Sequence, residues 1–125
     1  MQKDFEFYNP TQVFFGCSAM QQLAGLLGQY GPNVLLAYGG GSIRSNGVYD
    51  QVMAALRQAR KTVTEFSGIM PNPTYAKVLE GGALARACKA DLILAVGGGS
   101  VIDCAHGMGL AAVSPAYYRL LYVWG

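Results

Sequence analysis

Two apolar runs that end in the same four residues constrain this chain more than anything else in it. Val34-Leu35-Leu36-Ala37-Tyr38 leads into Gly39-Gly40-Gly41-Ser42, and Leu92-Ile93-Leu94-Ala95-Val96 leads into Gly97-Gly98-Gly99-Ser100. A short continuous apolar run suits a strand buried on both faces, as in a parallel sheet covered by helices. The same device therefore stands at the same place in two strand-to-helix units. The echo is too short to mark a repeat protein.

The rest of the chain fits around those two strands. Phe5-Glu6-Phe7-Tyr8 alternates and reads as a strand, Asn9-Pro10-Thr11 as a turn, and Gln12-Val13-Phe14-Phe15-Gly16 as a second strand. Together they predict an N-terminal β-hairpin. Ser18 reads as an N-cap with Gln21 as its capping-box partner. Met20, Leu23, Leu26, Leu27 and Tyr30 follow at helical spacing, and Gly31-Pro32 stops that helix. Val48, Val52, Leu56 and Ala59 predict a second helix to about Arg60. Thr62 to Phe66 is β-rich, and Ser67 to Pro73 reads as a loop. Thr74 caps a third helix carrying Tyr75, Val78, Leu79 and Leu84, and a fourth runs from about Val101 to Ala112. Strands alternating with helices imply βαβ units with right-handed crossovers. The fold class is α/β, a Rossmann-like parallel sheet flanked by helices, with an N-terminal hairpin.

Composition narrows the function. Charged residues are 13% of the chain and hydrophobic ones 52%, which excludes a disordered segment. The net charge of +2 comes with no basic cluster, so nucleic acid is not the expected partner. No apolar run approaches the ~20 residues of a membrane span, and Met1-Gln2-Lys3-Asp4 does not begin a signal peptide. Cys17, Cys88 and Cys104 are an odd set without a CxxC pair, read as reduced thiols of a cytoplasmic protein. With 125 residues, the expected organisation is one α/β domain over 1–113. Residues 114–125 follow as an aromatic tail that packs against something outside the chain.

A strand that ends in Gly-Gly-Gly-Ser and turns into a helix presents several N–H groups at a helix N-terminus, where the dipole adds positive charge. Glycine lets a phosphate approach the backbone closely. Ligands of open α/β sheets bind at the carboxyl edge of the strands. The plain alternative is that each stretch is only a tight turn. Neither loop matches GxGxxG or GxxxxGK[ST], which disfavours a P-loop nucleotidase.

The chain resembles the N-terminal, cofactor-binding half of the iron-dependent alcohol dehydrogenases, most of all their butanol-dehydrogenase branch. Their superfamily includes glycerol dehydrogenase and dehydroquinate synthase. The resemblance rests on Phe7-Tyr8-Asn9-Pro10-Thr11, Phe15-Gly16, Tyr38 to Ile43, Asn46 to Asp50, Pro71-Asn72-Pro73 and Ala95 to Cys104, taken in order. It implies that Gly97, Gly98, Gly99 and Ser100 hold a pyrophosphate and that Asp103 lies near the nicotinamide end. It implies that Gly39, Gly40, Gly41 and Ser42 sit by the adenosine ribose and that Asn72 lines the adenine side. On residue type alone, Asp103 also suits a first-turn carboxylate and Asn72 a plain turn residue. NAD-specific relatives carry an acid at the end of the first of these strands. Glycine and serine stand here instead, with Arg44 nearby. The expected cofactor is therefore NADP, with NAD possible, and with Ser42 and Arg44 toward the 2′-phosphate. A solvated surface charge is the alternative for Arg44.

The family holds a divalent metal, Fe2+ or Zn2+, with one Asp and three His residues of a helical C-terminal domain. His106 is the single histidine here and stands where the family has Lys, so the metal is expected only in a full-length protein. The implied function is the cofactor half of an NAD(P)-dependent alcohol dehydrogenase or aldehyde reductase acting on short-chain substrates. The chain alone is expected to be inactive, and the N-terminal hairpin to form a homodimer. The alternatives are a non-catalytic nucleotide-binding or dimerisation module, or a polyol dehydrogenase relative.

Overall fold

The computed structural model describes residues 11–15, 18–40, 42–45, 47–112 and 120–124. The elements run β1 (Thr11–Phe15), α1 (Ser18–Leu27), β2 (Asn33–Tyr38), α2 (Ser42–Ser45) and α3 (Val48–Gln58). They continue with β3 (Thr62–Phe66), α4 (Tyr75–Ala87), β4 (Leu92–Val96), α5 (Gly99–Ala112) and β5 (Leu120–Trp124). All strand pairs are parallel, and the spatial order is β1-β5-β4-β2-β3.

The two apolar pentads form the centre of the sheet because both of their faces are covered. On one face Val34, Leu36 and Tyr38 of β2 and Leu92, Leu94 and Val96 of β4 pack with Leu23 and Leu27 of α1, Ile43 of α2 and Val52 and Leu56 of α3. On the other, Leu35, Ala37, Ile93 and Ala95 pack with Ala85 of α4 and Val101, Cys104, Ala105 and Met108 of α5. Three layers result, with α1, α2 and α3 on one side and α4 and α5 on the other. Leu35, Leu36 and Leu94 are fully inaccessible, each worth roughly 1.5–3 kcal/mol of burial.

Helices α4 and α5 lie close because glycine faces a side chain at two points. A Cβ at Gly81 would stand 2.6 Å from Met108 Sδ, and one at Gly107 would stand 3.0 Å from Val78 Cγ1. The helix ends also follow local chemistry. Thr74 Oγ1 accepts from the Lys77 amide at 3.1 Å, the side-chain cap the sequence predicts. Helix α1 stops at Leu27, before Gly31-Pro32, with its last carbonyls taken by Gln29 and Tyr30 in tighter turns. Lys61 Nζ then donates to the Tyr30 and Gly31 carbonyls at 2.7 and 3.1 Å.

Two expectations change. Leu120 to Trp124 is not an outlying tail but strand β5, inserted between β4 and β1, so the sheet takes a strand from beyond the expected boundary at residue 113. Its run of Leu, Leu, Tyr, Val and Trp has the β-propensity and apolarity of a central strand. Helix α5 begins at Gly99 rather than Val101, which puts Asp103 beyond the first turn. Phe5 to Tyr8, and so the hairpin, lies outside the described residues. The described partner of β1 is β5, and the pairing is parallel.

Candidate functional site

Strands β2 and β4 are neighbours, yet their chains depart in opposite directions. From β2 the chain passes through α2 and α3 to β3 on one flank, and from β4 it passes through α5 to β5 on the other. The helices after the two strands also cover opposite faces. This is a topological switch point, the place where open α/β sheets form a crevice beyond the carboxyl ends of their strands. Tyr38 pairs with Val96, so Gly39 and Gly97 leave the sheet side by side.

Val101 of α5 lies beneath both turns. A Cβ at Gly39 would be 3.6 Å from Val101 Cγ2, and one at Gly97 would be 3.0 Å from it. Gly97 also has φ of 144°, a conformation that L side chains rarely adopt. Gly39 lies against the next loop: its carbonyl accepts from Gly68 N at 2.8 Å, and its Cβ position is 3.0 Å from the Ile69 carbonyl. These two glycines are explained by the fold itself. Gly40 and Gly98 are not. Both are exposed, and a Cβ at either would meet nothing within 4 Å.

The Gly98 carbonyl accepts from the Val101 and Ile102 amides, both at 3.1 Å, and so starts α5. No described carbonyl accepts from the amides of Gly99 or Ser100, which belong to the orphan donors of a helix start. An anionic group fits here: amides that no described carbonyl takes up, a helix dipole and a glycine surface open to solvent coincide. Ser100 is half-buried and Asp103 is exposed on α5. Asn72 is exposed in the β3–α4 loop with φ of 53°, a left-handed conformation that Asn tolerates as a turn residue. That loop is tied to the β2 turn by Gly68 N and by Ile69 N, which donates to the Tyr38 carbonyl at 3.3 Å. Ser42 and Arg44 contribute backbone to α2, and Gly41 lies outside the described residues.

One polar cluster at this edge escaped the sequence reading. Tyr38 Oη donates to Glu65 Oε1 at 2.6 Å, and Tyr49 Oη donates to Glu65 Oε2 at 2.8 Å. The two rings meet edge to face, with centroids 5.6 Å apart. The available signal was the alternation of Thr62 to Phe66, which sets Val63 and Glu65 on one face of β3. On the other face Lys77 Nζ sits 4.5 Å from the Phe66 ring centroid, a cation–π contact. Cys104 is 1% exposed, with Sγ 3.9 Å from Met108 Sδ. Burial pushes its thiol pKa up, against a smaller lowering by the Lys77 ammonium.

The described residues do not fit a metal centre. No group of three His, Cys, Asp or Glu side chains is gathered among them, and His106 is exposed on α5. No helix among them is long and apolar enough to cross a membrane.

Fold and edge together define a doubly wound α/β domain whose glycine turns meet at the switch point. Residues 10–122 match the iron-containing alcohol dehydrogenase family. A probable NADH-dependent butanol dehydrogenase of Bacillus subtilis is 51% identical over 102 residues, covering 82% of this chain and 26% of that protein. An NADPH-dependent aldehyde reductase of Escherichia coli is 42% identical over 114 residues, covering 90% of this chain and 28% of that protein. The crystal structure of NADH-dependent butanol dehydrogenase A from Thermotoga maritima superposes with a TM-score of 0.75 at 39% identity. It covers 84% of this chain and 27% of that one. The chain belongs to the iron-containing alcohol dehydrogenase family, and it spans about a quarter of the length of these relatives.

Proposed function

We propose that this chain is the nicotinamide-dinucleotide half of an alcohol dehydrogenase or aldehyde reductase. The amides of Gly97, Gly98, Gly99 and Ser100 would hold the pyrophosphate, with Asp103 toward the nicotinamide. Gly39, Gly40, Gly41 and Ser42 would flank the adenosine ribose, and Asn72 the adenine. The observation that carries this reading is the pairing of Tyr38 with Val96, which sets two glycine turns side by side at the switch point. Open space at Gly40 and Gly98 supports it, because the fold itself gives no reason for glycine there. When bound, the cofactor supplies or accepts a hydride at its nicotinamide ring.

NADP(H) is the proposed preference, on the grounds that β2 ends in Tyr38-Gly39 with no acid to meet a ribose 2′-hydroxyl. Relatives of both habits exist: the Bacillus subtilis protein is named for NADH and the Escherichia coli protein for NADPH. The substrates proposed for the whole protein are short-chain alcohols and aldehydes, with its metal held by residues other than those described. The 125 residues alone would not turn these substrates over. A cytoplasmic homodimer is the proposed setting. Its pairing edge would be the N-terminal strands, since β1 is an outermost strand of the described sheet.

Fluorescence titration of the chain with NADPH and NADH tests the reading. The expected result is saturable binding of both, tighter for NADPH. Absence of saturable binding for either would overturn the cofactor assignment, and tighter NADH binding would overturn the preference.

A further inference from the structure

We infer that Glu65 is a positioning residue for the turn after β2, acting through Tyr38 and Tyr49. Tyr38 is the last residue of β2, immediately before Gly39, and Tyr49 is the second residue of α3. The chain between them leaves the sheet edge and returns to it. Glu65, on the neighbouring strand, gives one carboxylate oxygen to each tyrosine, at 2.6 and 2.8 Å, so the start and the end of this excursion are pinned to β3. The edge-to-face stacking of the two rings fixes their relative orientation as well.

The turn needs such support. A glycine segment loses more backbone freedom on ordering than any other, and Gly40 has no neighbour within 4 Å of its Cβ position to hold it. Rigid shoulders reduce the ordering cost that a ligand must otherwise meet. Glu65 thereby sets affinity on the adenosine side of the crevice, while the α5 amides keep their own geometry. This rests on the dinucleotide reading above.

The test uses the whole chain and two probes, ADP and inorganic pyrophosphate, titrated by NMR. Pyrophosphate reports on the α5 amides alone, and ADP adds the nucleoside. Glu65→Ala is expected to weaken ADP roughly tenfold, the size of a lost preorganising hydrogen bond, with pyrophosphate affinity unchanged. Glu65→Gln, which keeps an acceptor and adds a donor, is expected to recover most of the loss. Tyr49→Phe removes one hydroxyl from a half-buried ring and is expected to fall between them. ADP affinity within twofold of wild type in Glu65→Ala, or parallel losses for both probes, would overturn the inference. If the wild-type chain binds neither probe, the dinucleotide reading fails. Hydrogen exchange at the Gly40 amide then decides the inference alone: faster exchange in Glu65→Ala supports the clamp, and unchanged exchange overturns it.

Discussion

Val101 sits under Gly97 with its Cγ2 only 3.0 Å from where a Cβ would stand, whereas the next residue, Gly98, faces open space. Adjacent glycines of one turn therefore differ: the fold demands glycine at 97, and the proposed cofactor contact demands it at 98.

Substitution separates those demands. Gly97→Ala is expected to cost about 1–3 kcal/mol, through strain at positive φ and contact with Val101. Gly98→Val meets no clash and is expected to cost about 1 kcal/mol, the loss of a favoured N-cap residue at the start of α5. It should nevertheless abolish NADPH binding, because the side chain would occupy the ligand's approach. Calorimetric melting and fluorescence titration of both variants check this. A Gly98→Val chain that binds like wild type would reduce the turn to a purely structural role.

The α4–α5 contact should behave as a coupled pair. Gly81→Ala drives a methyl group toward the fully buried Met108 and is expected to destabilise by about 1–3 kcal/mol. Met108→Ala alone opens a cavity at about 2–5 kcal/mol. The double variant should be less unstable than the sum of the two, by at least about 0.5 kcal/mol. Urea unfolding of all four chains gives the cycle, and strict additivity would contradict the packing described.

Helix α4 depends on its cap. Thr74 is exposed, so its replacement by Ala removes little except the bond from the Lys77 amide. A loss of about 1 kcal/mol is expected for Thr74→Ala, and a recovery to near wild type for Thr74→Ser. Thermal denaturation reads both.

Cys104 gives the chain an alkaline weakness. Burial raises the thiol pKa in the folded state above its ordinary value of 9.0, so the folded form binds the proton more tightly than the unfolded one. That contribution is fully present below pH 9.0 and is lost as pH rises through the folded-state pKa. Denaturant midpoints of wild type should therefore drop more steeply above pH 9.0 than those of Cys104→Ala. Equal slopes would mean that the thiol titrates alike in both states.

What the sequence revealed depended on how local the cause was. The pentads 34–38 and 92–96 are legible as strands buried on both faces because such burial excludes every charged residue. The Thr74 cap was legible because it spans three residues. Strand order was not, since periodicity fixes which residues face a layer and says nothing about which strand lies alongside. Leu120 to Trp124 reads as a tail in the sequence because, after Ser114-Pro115, an apolar run looks the same whether it joins this sheet or another surface. The four-residue α2 is too short to leave a periodic signature. Glu65 leaves no local signal because its two tyrosines lie 27 and 16 residues away along the chain. The distinction between Gly97 and Gly98 needed a backbone angle, which their identical side chains conceal.

The insertion of β5 between β4 and β1 carries a consequence for biosynthesis. Among the described strands, β1 has β5 as its sheet neighbour, so β1 joins this ladder only once β5 has emerged. The middle of the chain can close its own three-strand ladder beforehand. During translation β1 thus waits, and anything that delays β5 leaves β4 as an open edge and β1 apart from the ladder, while the β2–β3 side is already closed.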